Sequence, residues 1–142
     1  YGAPSIVVDF GTATNIDVVD SDGYYIGGAI APGLRISMDA LVARAARIAS
    51  IPLETPPHAI GRTTEEAVQS GTVLGTAAMV EGLVSRIRAE LGAPEARVIA
   101  TGGLANIVAD STNVFDVVDG QLTLKGICEI ARRMRDRVPR TA

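Results

Sequence analysis

An apolar strand, Ser5-Ile6-Val7-Val8, runs directly into Asp9-Phe10-Gly11-Thr12-Ala13-Thr14, and this junction constrains the chain more than any other stretch. It sets a carboxylate, a residue without a side chain and two hydroxyl-bearing residues at the end of a strand. Such a set suits phosphates and cations. Gly11 lets the backbone take φ > 0 or approach a ligand closely, Asp9 supplies a fixed negative charge, and Thr12 and Thr14 can donate hydrogen bonds to phosphate oxygens without adding charge. Spacing alone leaves a second reading open, a structural β-turn, because a strand ending in Asp before a glycine turn is frequent in α/β proteins.

Beyond this junction the periodicity predicts a second strand over Asn15 to Val19, a turn at Asp20-Ser21-Asp22-Gly23, and a third strand over Tyr24 to Ile30. In that third strand Gly27 and Gly28 leave room for another backbone or a ligand. Pro32-Gly33 ends it, and Leu34, Met38, Leu41, Ala45 and Ile48 then recur as the apolar face of a helix. Pro52, Pro56 and Pro57 make the next stretch an irregular loop. Thr63 with Glu66 forms a capping-box pattern that opens a long helix, closed near Leu91 by Gly92 and Pro94. Its apolar face is read as Ala67, Leu74, Ala78 and Leu83, and Gly71, Gly75 and Gly82 suggest close packing against the sheet or a second subunit. A short strand over Arg97 to Ala100, the turn Thr101-Gly102-Gly103 and a helix over Leu104 to Ala109 make a place where a nucleotide could lie against backbone, or simply a tight βα turn. Val114 to Val118 is the fifth strand. The last helix, Leu122 to Arg137, is expected to turn Leu124, Ile127, Cys128, Ala131 and Met134 inward, with Arg132, Arg133, Arg135 and Arg137 at its negative pole.

The order is written βββαβαβα, an α/β domain with a mixed sheet and helices packed on it, the order of the ribonuclease-H-like core of actin-like kinases. One domain spanning 1–142 suits the length and the 47% hydrophobic content. A net charge of −3 gives no basic surface for a nucleic-acid partner. The single Cys128 is read as a core residue, and one cysteine allows no internal disulfide, which fits a reducing, cytoplasmic setting. No apolar run reaches the roughly 20 residues of a membrane span, so no membrane partner is expected. Because the chain opens at Tyr1 without Met and a strand starts at Ser5, it is read as a fragment of a longer polypeptide.

Taken together, VVDFGTATNIDVV, GGAIAPGLRISMDAL, IGRTTEEAVQSG and VIATGGLA closely resemble the C-terminal half of type III pantothenate kinases, the family also called Bvg accessory factor-like. The resemblance implies ATP-dependent phosphorylation of pantothenate to 4′-phosphopantothenate, the first step of coenzyme A synthesis, by a homodimer of actin-like fold. It implies that Asp9 binds a monovalent cation, potassium or ammonium, and that Gly11 and Thr12, with Gly102 and Gly103, contact ATP. Thr64 corresponds to the threonine that contacts pantothenate. Magnesium would arrive with ATP and be held mainly by the N-terminal lobe. That lobe also carries a DxGNT-type phosphate loop and a GxDR motif with the general base, and neither motif occurs in this chain. No catalytic base is therefore assigned here, and the chain alone is expected to be inactive. Asn15 stands where a threonine is common, and His58 is expected to face solvent from the proline loop. Two other readings remain: a binding or regulatory module that keeps the fold without kinase activity, and a metal-dependent nuclease using Asp9, Asp17 and Asp110.

Overall fold

The alternation of Ile6, Val8 and Phe10 with Val7 and Asp9 drives one face of the first strand into the interior, as a pleated strand of period 2 requires. In the computed structural model, which describes residues 1–44 and 51–137, this strand is β1 (Ser5–Phe10) and lies in the middle of a five-stranded sheet of order β3-β2-β1-β4-β5. β2 (Ala13–Val19) and β3 (Tyr25–Pro32) add to it as an antiparallel meander. β4 (Arg97–Thr101) pairs parallel to β1, and β5 (Val117–Val118) parallel to β4. The Asp20 carboxylate closes the β2–β3 turn by accepting the N–H groups of Asp22 and Tyr24 at 3.0 and 2.9 Å. Gly28 meets a close backbone approach. A Cβ there would run into the Ile16 carbonyl oxygen across the ladder, with the carbonyl carbon only 2.8 Å away.

The helices pack on the face that carries Ile6, Val8, Phe10, Ile16, Val98 and Ala100. α1 (Leu34–Arg44) buries Leu34 and Met38 there, while Leu41 is about half exposed; Ala45 and Ile48 lie outside the described residues. The long helix starts as its sequence predicts: Thr63 Oγ1 accepts the Glu66 N–H at 3.1 Å, and the Glu66 carboxylate reaches back to the Arg62 N–H at 2.6 Å. It is not one regular helix, however. α2 (Thr64–Gln69) passes through a π-helical turn, Ser70–Leu74, into α3 (Gly75–Leu91), which stops at Gly92 with φ 62°.

The buried apolar residues are Val68 ahead of that turn and Val73, Ala77, Val80 and Val84 within and beyond it, whereas Ala67 and Ala78 are exposed and Leu74 and Leu83 half-buried. The π turn breaks the single period that the sequence reading assumed. Two helical units, α1 and α2–α3, also separate β3 from β4, where βββαβαβα counts one. The proline loop parts them. Farther on, α4 (Ala105–Ala109) leads into a fifth strand much shorter than Val114 to Val118. The Asp116 carboxylate accepts the Val98 N–H at 2.7 Å while the Asp116 N–H donates to the Val98 carbonyl at 2.9 Å, and Phe115 turns its ring edge-on to Phe10 at 5.8 Å.

α5 (Leu122–Arg137) forms where expected, but its apolar side does not face inward: Leu124, Ile127 and Met134 are 64%, 57% and 65% exposed, and Cys128 is exposed rather than a core residue. Amphipathic spacing shows that a helix has an apolar side. It does not say which body covers that side.

The first turn of α5 is tied down by Asp119, which is buried. Its carboxylate accepts the Lys125 ammonium and the Tyr1 hydroxyl, each at 2.7 Å, and the Gln121 N–H at 3.0 Å. The Lys125 ammonium first, then the Tyr1 hydroxyl, lower the Asp119 pKa from 3.8 to about 2. A carboxyl whose pKa falls on folding stabilises the fold above its unfolded value and ceases to do so as pH drops through the folded one. Acid titration should therefore release α5 from Tyr1 between about pH 4 and pH 2. Circular dichroism and tyrosine fluorescence should follow the release, and Asp119→Asn should remove that phase.

Candidate functional site

Parallel pairing of β1 with β4 sets Asp9 opposite Thr101, which brings the turn after β1 beside the turn after β4. The Leu104 N–H donates to the Phe10 carbonyl at 3.3 Å and ties the two turns together. Both lie at the carboxyl ends of adjacent parallel strands, where open α/β sheets bind their ligands. Gly102 makes the approach possible. Its φ is 93°, and a Cβ there would collide with Asp9 Oδ1 and stand 2.6 Å from the Phe10 carbonyl oxygen. The Asp9 carboxylate thus rests against bare backbone, partly open to solvent, and no ion pair among the described residues engages it.

Asp9, Gly11, Thr12, Gly102 and Gly103 are therefore brought to one corner, in unequal roles. Gly103 has open space around its missing side chain, and at Gly11 a Cβ would meet Asp9 Oδ1 at an ordinary 3.6 Å. The left-handed conformation expected at Gly11 occurs at Gly102 instead. Thr12 is exposed and accessible to a ligand. Thr14 is not: its pairing with Phe10 turns it into the core, 1% exposed, with a buried hydroxyl that has no partner among the described residues, which removes it as a phosphate donor.

The sequence reading missed Gly33. A Cβ on this buried residue would run into the Thr12 carbonyl and come within 2.7 Å of the Gly11 carbonyl, so the start of α1 seats directly under the Gly11–Thr12 turn. Pro32-Gly33 carried the signal, but it was read only as a strand end.

Thr64 does not join that corner directly. It lines a groove of ≈ 730 Å³ between the end of β3, α1 and the α2–α3 helix, with Pro32, Ser37, Gly71, Thr72 and Met79 among its walls. Pro32 pairs with Ala13 and precedes Gly33, so the Pro32-Gly33 segment is a wall common to the groove and the Asp9 corner. Thr63 already caps the helix, which leaves the Thr64 hydroxyl free of that duty on an exposed residue. Among the described residues, no atom beyond their own helical turn lies within 4 Å of a Cβ added at Gly71, Gly75 or Gly82, so none packs against the sheet. His58 is exposed in its loop. Among the described residues no three His, Cys, Asp or Glu side chains are placed to hold a metal ion, so Asp9, Asp17 and Asp110 do not form the cluster that a nuclease would need. No helix among those residues is long and apolar enough to cross a membrane.

The sheet, the paired glycine turns and the groove define an α/β protein with a polar corner at the carboxyl ends of two adjacent parallel strands. Residues 1–86 match the family model described as type III pantothenate kinase. A type III pantothenate kinase from Thermomicrobium roseum is 58% identical over 94% of this chain and 51% of its own length, and one from Frankia alni is 53% identical over 89% and 50%. This chain belongs to the type III pantothenate kinase family. It spans about half the length of the curated relatives it matches. Among solved structures, a Campylobacter jejuni protein described as a conserved Baf family transcriptional activator superposes with a TM-score of 0.66 over 94% of this chain and 59% of that one, at 19% identity, a likeness of fold.

Proposed function

We propose that this chain is the C-terminal lobe of an actin-like kinase that phosphorylates pantothenate from ATP, giving 4′-phosphopantothenate for coenzyme A synthesis. The observation that carries this reading is the Asp9 carboxylate set against Gly102 between two exposed turns, in a chain that belongs to this family. The sheet order β3-β2-β1-β4-β5, with an antiparallel meander on one side of β1 and parallel strands on the other, supports the ribonuclease-H-like assignment.

Gly11 and Thr12 would border the triphosphate, Gly102 and Gly103 would border the adenosine side of ATP, and Thr64 would hydrogen-bond pantothenate in its groove. A partly open carboxylate beside backbone carbonyls is a hard oxygen donor set, which fits a potassium or ammonium ion held by Asp9. Once bound, such an ion supplies positive charge between that carboxylate and nucleotide oxygens that it would otherwise repel. Gly33 holds the Gly11–Thr12 turn from beneath, and Gly102 keeps space for the carboxylate. Magnesium with ATP, the phosphate loop and the general base belong in this reading to the N-terminal lobe, since in-line phosphoryl transfer needs all three.

The test joins this chain to the remaining half of the Thermomicrobium roseum relative. The joined protein should convert pantothenate and ATP to the phosphorylated product in potassium or ammonium buffer, with little turnover in sodium, and the 142-residue chain alone should show none. Binding of neither substrate by the joined protein, read by calorimetry, would favour the regulatory-module reading. The open space at Gly82, which lies outside the groove, supports a homodimer formed along α3. Light scattering at micromolar concentration should give twice the monomer mass for the joined protein, and Gly82→Arg should halve it.

A further inference from the structure

We infer that the apolar side of α5 is the seat of the polypeptide that family members carry beyond the span matched here, so that α5 serves as the contact between the two lobes. The inference rests on the two-lobed kinase reading and adds the surface through which the lobes meet.

Leu124, Ile127, Ile130 and Met134 share one side of α5, with Cys128 and Ala131 between them, and every large one is more than half exposed. None belongs to the core cluster of the described residues. A helix of this length is marginal in water unless an apolar side is covered, so the pattern calls for an occupant. The other side is already satisfied within the helix: Glu129 pairs with Arg132 at 3.0 Å and with Arg133 at 2.7 Å.

Two observations select the occupant. About half the length of the matched relatives lies outside the match, a body of lobe size. Tyr1 is also fixed at the first turn of α5 through Asp119, and Tyr1 and Val118 are themselves 55% and 43% exposed, so polypeptide reaching Tyr1 from a preceding lobe would arrive at the N-terminal end of α5.

Cys128, on that side and the only cysteine of the chain, reports coverage without any substitution. Its labelling by a thiol reagent, read at this residue by mass spectrometry, should be rapid in the 142-residue chain and at least tenfold slower in the joined protein. Ile127→Glu with Ile130→Glu should restore rapid labelling in the joined protein. If that double variant does not fold, Leu124→Ser alone should raise the rate severalfold. Equal rates in the two proteins would overturn the inference. So would labelling of the short chain that slows with its concentration alongside a sedimenting dimer, which would make a second copy the occupant, or protection that requires anionic vesicles, which would make it a membrane. Protection of Cys128 in a joined protein that phosphorylates nothing would sink the kinase reading and leave this one standing.

Discussion

Gly102→Ala should destabilise the chain by about 3 kcal/mol or more, because the new Cβ meets two costs together. One is the left-handed backbone at φ 93°, which costs a residue with a side chain roughly 1–3 kcal/mol. The other is overlap with Asp9 Oδ1 and the Phe10 carbonyl, and overpacking of this kind costs about 1–3 kcal/mol. The Asp9 carboxylate can swing toward solvent, but the Phe10 carbonyl cannot yield easily, since it also holds the Leu104 N–H. Gly103→Ala is the matched control. It sits one residue away at negative φ with open space around it, and should change stability by no more than about 0.5 kcal/mol. Urea denaturation of both variants checks the contrast, and equal losses would remove the assigned role of Gly102.

Asp9→Ala should affect function more than folding. The residue is partly exposed at the end of β1 and its side chain is held by no ion pair among the described residues, so its loss leaves the core intact. In the joined protein the potassium concentration for half-maximal turnover should rise at least roughly 10–100-fold, the cost of losing even a residue that only orients a metal ligand. Turnover at fixed potassium should fall on the order of 100-fold, the scale of removing one preorganised electrostatic partner of a reacting phosphate. Kinetics in potassium and sodium series give both quantities. Robust turnover of the joined protein in sodium-only buffer, unaltered by Asp9→Ala, would sink the cation role.

Much of this corner was legible in the sequence because its cues are local. A strand ending in Asp9 before Gly11, the Thr63 and Glu66 cap, and the glycine pair after β4 each depend on residues a few positions apart. Other features were hidden because they arise between distant segments. Nothing near Gly102 marks it apart from Gly103; only the approach of β1 from ninety residues away gives one of them a collision and the other open space. Thr14 and Thr12 look alike in sequence, and the register of β1 with β2 buries one and exposes the other. Gly33 is part of the site solely because α1 starts beneath the Gly11–Thr12 turn.

The sequence by itself determined the strands, the helix caps, the proline loop and the motifs of the family, since backbone preference and side-chain periodicity act within a few residues. Tertiary structure decided which glycine guards Asp9, that a π-helical turn interrupts the long helix, and that α5 leaves Leu124, Ile127 and Met134 uncovered. The physical reason is that steric exclusion and burial belong to pairs of surfaces. A chain announces one member of each pair in its own residues, and only folding, or the arrival of a partner, supplies the other.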